Sequence, residues 1–191
     1  MKENWKVSMY HVLKDEGIGL EIRSTEGGGA VNMGVTFEAW QNYSKKHKLP
    51  EATFENLGKI TVDTAMDVFR DLYADKIHFD DLPHGSDYCV LDSAINNGPG
   101  GATRFLQRAL GLPVTGKFDQ VTLEKAKASP AHELVDKFCD IRLAIQKTFK
   151  NYNHPASRGK TFGWVWDRRV ELVRTRAKAI IAAVNKKGEK K

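Results

Sequence analysis

The sequence predicts an all-α, mainly helical fold, and three observations support that prediction. Apolar residues recur at helical spacing through most of the 191 residues. Proline, glycine and capping residues separate these periodic segments, as helix start and stop signals do. Alternating strand patterns are nearly absent, apart from a short β-segment expected within residues 18–31. No internal repeat of about 20–50 residues is found, so a solenoid or a propeller is not expected.

The first helix is predicted from one apolar stripe. Four residues fall at helix-face spacing: Trp5, Met9, Val12 and Leu13. The segment EAWQNYSKKH then predicts a second short helix, and LPEATFENLGKI predicts a loop or a helical turn. In TVDTAMDVFRDLYADKI a further amphipathic helix follows a Thr or Asp cap.

The rest of the chain is also predicted to be helical. SDYCVLDSAINNG indicates a buried helix that stops at Asn-Asn-Gly, and GGATRFLQRALG indicates an amphipathic helix closed by Gly111. Asp119 is the predicted N-cap of the next helix. Ser129 is then expected to cap another helix, with Pro130 at its first position. A long last helix is predicted from WVWDRRV onward.

Composition and charge limit the classes of function. The hydrophobic share of 41% and the charged share of 28% are those of a globular protein of one domain or two small ones. The net charge of +6 favours a polyanionic partner. We expect no nucleic-acid partner, because zinc-finger spacing, RNA-binding aromatic signatures and long basic helices are absent from the sequence. The six histidines have no metal-ligand spacing, so neither a metal nor another cofactor is expected.

Cysteines and apolar runs bear on the cellular compartment. Cys89 and Cys139 lie within apolar helical patterns, which predicts buried free thiols. The N-terminus has no apolar run typical of a signal peptide, and no segment reaches the roughly 18 apolar residues of a membrane span. We therefore expect synthesis in the cytoplasm without membrane insertion, and another export route for any action outside.

The stretch Leu13–Thr36 is the candidate site, because it holds three glutamates and six glycines in 24 residues. Glu16 follows Trp5 by eleven residues, which returns it to nearly the same face of the first helix. A carboxyl group against an apolar face has a raised pKa, and such a group can act as a general acid. The spacing alone favours the alternative, a Glu16 that merely ends the helix.

A second carboxylate follows ten residues later, at Glu26, in a segment too rich in glycine to be helical. Such a group can act as a general base on water or stabilise an oxocarbenium-like transition state. A solvated Glu26 without a catalytic role is the alternative, and Glu21 is expected to be an ordinary loop carboxylate.

Three motifs in this order resemble the phage-type muramidases of glycoside hydrolase family 108. HVLKDEG and GGAVNMGVT resemble the family's N-terminal signature. The segment Tyr73–Ala126 resembles the passage into its C-terminal peptidoglycan-binding region, and Phe162–Val170 resembles its closing element. The resemblance covers roughly residues 8–172.

This resemblance implies a lysozyme-like, two-lobed architecture. Residues 1–92 would form a catalytic lobe, residues 93–172 a helical peptidoglycan-binding lobe, and residues 173–191 the helix end and basic tail. The implied activity is that of an N-acetylmuramidase, which cleaves the β-1,4 bond between N-acetylmuramic acid and N-acetylglucosamine in peptidoglycan. Glu16 takes the place of the proton donor, and Glu26 that of the family's loop Asp.

Five residues are the candidate substrate-binding positions: Asn32, Thr36, Tyr73, Asn96 and Trp166. The first three lie in or beside the motifs of the resemblance. Asn96 would bond to N-acetyl or hydroxyl groups of a sugar, or else belong to the end of its helix. Trp166 would be a stacking platform, or else pack in the core.

The sequence departs from the family pattern at Ile18, Val31 and Ala74, and LEIRST replaces the family's Asn-Asp-Pro loop. Val31 stands where the family has a Thr, and a Thr in that region of related phage lysozymes helps to position the attacking water. Ala74 stands where a Trp is usual, which implies the loss of a sugar-stacking platform. These departures leave a second function open, a non-catalytic cell-wall-binding or secretion-accessory protein that keeps the fold.

Charged residues outside the motifs have two interpretations each. Asp92 would be an acid–base partner or a buried Asp that bonds to neighbouring backbone. Arg168 and Arg169 would contact anions of the stem peptide or form a solvated helix start.

Partners follow from the resemblance too. Peptidoglycan strands are the expected substrate of a monomer that acts at the cell wall, in a phage or prophage endolysin module or as a host hydrolase. A holin or another export partner would release it.

Overall fold

The computed structural model describes residues 2–16, 20–23, 29–156 and 159–188, with side chains omitted at 16, 20–23, 187 and 188. The described chain is mainly α-helical with one small sheet, as the sequence predicts. It divides into two compact units, Trp5–Lys76 and Met1–Asn4 with Ile77–Lys191. The expected lobe boundaries at 92 and 172 both fall inside helices, at α5 and α8 below, so the functional assignment of the lobes stays a prediction.

The unit Trp5–Lys76 places a small sheet between its first and second helices. Its elements are α1 (Trp5–Glu16), β1 (Leu20–Arg23), β2 (Gly29–Asn32), β3 (Val35–Thr36), α2 (Phe37–Lys46), α3 (Phe54–Gly58) and α4 (Val62–Phe69). A π-helical turn, Arg70–Ala74, continues α4.

Helix α1 forms because one of its faces is apolar and buried. Met9 and Val12 have no exposed surface, and Leu13 is 8% exposed. Burying such side chains stabilises the fold by about 1.5–3 kcal/mol each. The predicted apolar stripe on the first helix is therefore confirmed.

Threonine caps fix the starts of the next three helices. The hydroxyl oxygens of Thr36, Thr53 and Thr61 each accept a hydrogen bond from the backbone N–H three residues later, at 3.1 Å. Each bond satisfies an otherwise unpaired N–H of the first helical turn.

The sheet is antiparallel, in the order β1-β2-β3. The Cα of Val31 in β2 pairs with Glu21 in β1 and with Thr36 in β3. Positive φ angles at Met33 (51°) and Gly34 (79°) make the tight β2–β3 turn, as in a two-residue hairpin of type I′. The expected β-segment is confirmed, but the expectation that Glu21 lies in a loop is wrong, because it lies within strand β1.

The second unit is a helical bundle. Its helices are α5 (Ser86–Ala109), α6 (Gln120–Lys127), α7 (Ala131–Gln146) and α8 (Phe162–Gly188). α7 packs against both α5 and α8, and a short 3₁₀ turn, Phe79–Asp81, packs on α5.

Helix α5 contains a kink that matches the predicted stop. Gly98 has φ 72° and ψ 155°, a conformation open essentially to glycine alone, and Pro99 follows it. The two helices predicted on either side of Asn-Asn-Gly are therefore confirmed, as two helical segments of α5 that meet at Gly98. Gly111, with φ 67°, follows the end of α5 as predicted.

Of the two predicted caps in this unit, one is correct. The Asp119 carboxylate accepts from the Thr122 N–H at 2.8 Å and begins α6. The Ser129 prediction is wrong, because Pro130 itself occupies the N-cap position of α7, with φ −58° and ψ 126°. The Ser129 hydroxyl instead donates to the Lys125 carbonyl at the end of α6.

No helix of the described residues is long and apolar enough to cross a membrane. Within the same described ranges, no group of three or more His, Cys, Asp or Glu side chains is placed to hold a metal ion.

Candidate functional site

The predicted general acid lies at the junction of α1 and the sheet. Glu16 is the last residue of α1, and β1 begins at Leu20. The Glu16 side chain lies outside the described part of the structure, as do Glu26 and Ile18. The roles of these residues remain predictions.

Asn32, at the end of strand β2, has a buried side chain that bonds to helix α3. It is 3% exposed, and its Nδ2 donates to the carbonyl oxygens of Leu57 at 2.9 Å and Gly58 at 3.4 Å. These carbonyls end α3 and have no partner within that helix. The Asn32 amide therefore ties the sheet to α3, and its predicted contact with substrate is untested.

Thr36 has a defined structural task as well. Its hydroxyl oxygen caps α2, accepting from the Ala39 N–H, and its side chain is exposed. Tyr73 lies in the π-helical turn, half-buried, with its ring 5.9 Å from that of Phe69. Neither arrangement tests a contact with a sugar.

Two departures from the family pattern have clear positions. Val31 is half-buried in the central strand, between Glu21 and Thr36, and carries no hydroxyl for a water. Ala74 has no exposed surface at all. Alanine at this position therefore offers no surface to a sugar, and the loss of a stacking platform relative to the family stays a prediction.

The unit Trp5–Lys76 also holds an acid that the sequence analysis passed over, Asp71. Burial acts to raise its pKa, but hydrogen bonds from Lys46 and from His47, at 3.3 Å, outweigh burial and lower the pKa of Asp71. The same carboxylate and that of Asp67 add to burial in raising the pKa of Tyr43. Asp71 is thus ionised at neutral pH, which is unsuited to a proton donor.

A groove of about 820 Å³ runs between α1 and α4. Its walls are mostly the apolar parts of Tyr10, Leu13, Val62 and Met66, with two lysines and Asp63 at the edges. Around α1, Glu16 is about 60° from Leu13, which lines this groove, and about 160° from Lys14, which lines it too.

In the second unit, Asp92 anchors a buried charge cluster. Its Oδ2 accepts from Arg142 NH1 at 2.6 Å, and its Oδ1 accepts from Arg169 Nε at 3.0 Å and NH2 at 2.9 Å. Burial acts to raise the pKa of Asp92, but the two guanidinium groups outweigh it and the pKa is lowered. Among the described residues the Asp92 carboxylate bonds to two arginines and to no backbone group, so the interpretation as a backbone-bonded Asp is wrong. A role of Asp92 as an acid–base partner stays a prediction, and Arg169 is not a solvated helix start.

Asn96 and Trp166, predicted to bind substrate, meet at one small cavity beside this cluster. The cavity measures about 190 Å³ and is also lined by Arg142, Gln146 and Arg169. Asn96 is exposed and donates to the Asp92 carbonyl at 2.7 Å. Sequence reasoning missed Arg142 and Gln146, since polar residues inside an amphipathic helix give no separate signal.

Trp166 belongs to an aromatic cluster, which supports the packing interpretation of this residue. Its ring centroid lies 5.8 Å from those of Phe149 and Phe162 and 6.3 Å from that of Tyr152. The half-buried indole nevertheless contributes to the cavity wall.

Comparison with known proteins identifies the family. No functionally curated protein matches the chain. The sequence model of glycosyl hydrolase 108 matches residues 9–98, which include Glu16 and the whole sheet. The solved structure of SagA from Brucella abortus is similar, with 32% sequence identity and a TM-score of 0.78 over 94% of this chain and 97% of that chain. The chain therefore belongs to glycosyl hydrolase family 108.

Proposed function

We propose that this protein is a peptidoglycan hydrolase, an N-acetylmuramidase that cleaves the β-1,4 bond between N-acetylmuramic acid and N-acetylglucosamine. One observation carries the proposal: the stretch from Met9 in α1 to the end of β3, which holds Glu16, lies within the region matched by the family of glycosyl hydrolases. The basic chain, with net charge +6, also suits an anionic cell wall.

Glu16 is proposed as the general acid. It protonates the glycosidic oxygen as the bond to the anomeric carbon breaks, so that the leaving sugar departs as a neutral alcohol. The position of Glu16 at the end of α1, whose Met9 and Val12 are fully buried, suits this task. An apolar environment disfavours the charged form of a carboxyl group and keeps it protonated to higher pH.

Glu26 is proposed as the second carboxylate. It either activates the attacking water or stabilises positive charge at the anomeric carbon. In an inverting reaction the two carboxyl groups are about 6.5–9.5 Å apart, and in a retaining reaction about 5–5.5 Å. The protein is made in the cytoplasm and acts at the wall after release by a holin or another export partner.

Clearing of purified cell walls tests the acid. Wild-type protein is expected to reduce the turbidity of a wall suspension, and Glu16→Gln is expected to lose at least about 100-fold in rate. Glu21→Gln is the matched control, because it removes a neighbouring glutamate of β1 and should leave clearing unchanged. Equal clearing by wild type and Glu16→Gln would exclude this residue as the acid.

Mass analysis of the released muropeptides defines the reaction. Reducing ends on N-acetylmuramic acid are expected from a hydrolysing muramidase. Anhydro ends would show transglycosylation instead, and reducing ends on N-acetylglucosamine would show the other β-1,4 bond.

One observation favours a second function, binding without cleavage. Val31, at the centre of the sheet, has no hydroxyl with which to hold a water. A binding-only protein would sediment with walls and leave their turbidity unchanged, and Glu16→Gln would sediment equally.

A further inference from the structure

Two residues that line the cavity in the second unit, Arg142 and Gln146, each carry a polar atom without a hydrogen-bond partner among the described residues. Arg142 is 1% exposed and Gln146 is 3% exposed. The Nε of Arg142 and the Oε1 of Gln146 are buried without a hydrogen-bond partner among the described residues. A buried polar atom without a partner costs about 1–3 kcal/mol, so each of these atoms favours a ligand that pairs with it.

The two atoms need hydrogen-bond partners of opposite type. The Arg142 Nε–H is a donor and needs an acceptor, whereas the Gln146 Oε1 is an acceptor and needs an N–H or O–H donor. A ligand that meets both carries an acceptor and a donor close together, as an acetamido group or the carboxyl end of a peptide does.

The charge of the wall decides between these two groups. Arg142 and Arg169 both line the cavity, and no acidic residue is among its described lining residues. Asp92 contributes one carboxylate, which pairs with both guanidinium groups. Asp167, next to Trp166 in sequence, accepts from the Tyr152 hydroxyl at 2.6 Å and does not line the cavity. Two guanidinium groups in the wall favour a carboxylate over a neutral acetamido group, because a carboxylate accepts stronger, charge-assisted hydrogen bonds from them.

Size limits the ligand further. The volume of about 190 Å³ equals the share of about six water molecules in the liquid. This space suits one small residue and is below the roughly 300–1,000 Å³ of pockets that enclose larger ligands. Phe149 and Trp166 supply an apolar wall for a short side chain such as a methyl group.

We propose that this cavity binds the carboxyl end of a short peptide, with its terminal carboxylate against Arg142 and Arg169 and its last amide N–H toward Gln146. Such an end occurs in the D-alanine-terminated stem peptides of peptidoglycan and in ordinary peptides of L-residues. The carboxylate chemistry stands independently of catalysis, while the stem-peptide source rests on the function proposed above.

Calorimetric titration of the full chain tests the ligand. The probes are N-acetyl-D-alanyl-D-alanine, its L,L counterpart, the C-terminal amide of each, and N-acetylglucosamine. We expect saturable binding of a dipeptide acid and at least about 10-fold weaker binding of its amide, because the amide lacks the charge. Preference for the D,D form assigns the stem peptide as source, and preference for the L,L form assigns ordinary peptides.

Variants test the residues. Arg169→Gln and Gln146→Glu are each expected to weaken binding of the acid at least about 10-fold, the first by removing positive charge and the second by neutralising it. Arg168→Gln is the matched control, because Arg168 is exposed and does not line the cavity, and it should bind like wild type. Thermal unfolding shows which variants fold, and Gln146→Glu tests the site independently of the Asp92 pair.

Three results would overturn the proposal. These are equal affinity for acid and amide, binding of N-acetylglucosamine in place of the dipeptides, and no saturable binding of either acid. Glu16→Gln should bind the dipeptide like wild type even where wall clearing is lost. Failure of the proposed catalysis and failure of this site therefore give different results.

Discussion

Arg142 and Asp92 form an ion pair inside the second unit, with NH1 and Oδ2 2.6 Å apart and neither side chain more than 1% exposed. Arg169 binds the other oxygen of the same carboxylate, which links α5, α7 and α8 through one acid. The cluster holds the wall of the cavity in place because direct hydrogen bonds join its three charged side chains.

Removal of this acid should destabilise the protein strongly. Asp92→Asn removes the carboxylate that pairs with the buried Arg142 and with Arg169, and we expect a loss of about 3–5 kcal/mol in the free energy of unfolding. Urea denaturation at pH 7 measures it. Glu55→Gln is the control, because the Glu55–Lys59 pair is highly exposed and should change stability by less than about 0.5 kcal/mol. Equal effects would contradict the assignment of Asp92 as the anchor.

The pH dependence of the same pair has a definite sign. Arg142 and Arg169 outweigh burial and hold the folded-state pKa of Asp92 below the roughly 3.9 of an unfolded Asp. The stabilisation by Asp92 is therefore complete above about pH 4 and is lost as pH falls through the folded pKa. The difference in unfolding free energy between wild type and Asp92→Asn should be constant from pH 7 to about pH 5 and shrink below about pH 4. A difference that grows on acidification would refute this sign.

Local signals predicted the fold well where the interacting groups are close in sequence. The Asp119 cap spans three residues, and its hydrogen bond forms as predicted. The prediction that Ser129 caps α7 failed because only three residues separate α6 from α7, so that two helix ends compete for the Ser129 hydroxyl. The Ser129 hydroxyl donates to the Lys125 carbonyl instead, so α7 begins after Pro130 without a side-chain cap.

The candidate site was less predictable, for reasons of distance along the chain. Asp92 and Arg142 are 50 residues apart, and nothing in either helix pattern indicates that they pair. Glu21 appeared as a loop residue because its strand has only four residues, too few for a clear alternation. The helical spacing from Trp5 did predict that Glu16 ends the first helix.

Gly85 is expected to tolerate no side chain. It has φ +82°, and a Cβ built there would lie 2.8 Å from the Ala177 carbonyl oxygen and from Ile181 Cγ1. Gly85→Ala should lower the free energy of unfolding by about 2–4 kcal/mol, through backbone strain and overpacking together. Gly111→Ala is the comparison, since φ is +67° but no atom lies within 4 Å. It should cost only the backbone strain, about 1–2 kcal/mol. Denaturant unfolding that shows equal losses would exclude the close approach to α8.

The two thiols should be unreactive in the folded protein. Cys89 and Cys139 are buried and free, with their Sγ atoms 4.0 Å apart. Burial, with a further contribution from Cys139, raises the pKa of the Cys89 thiol well above its usual range. Since the thiolate is the reactive form, a disulfide reagent at pH 8 should label native protein slowly and both thiols at once after unfolding. Rapid labelling of native protein would show that α5 and α7 separate readily.

The identity of the second carboxylate can be settled by comparing three variants at two glutamates. Glu26→Gln should lower the rate of wall clearing by about 100-fold to 10,000-fold, as loss of a general base does. Glu26→Asp should retain most activity, because the resemblance places an Asp at this position in the family. Glu21→Gln should retain full activity, although Glu21 is paired in register with Val31 at the centre of the sheet. If Glu21→Gln abolishes clearing and Glu26→Gln does not, the second catalytic carboxylate is Glu21 on strand β1, and its assignment to Glu26 is wrong.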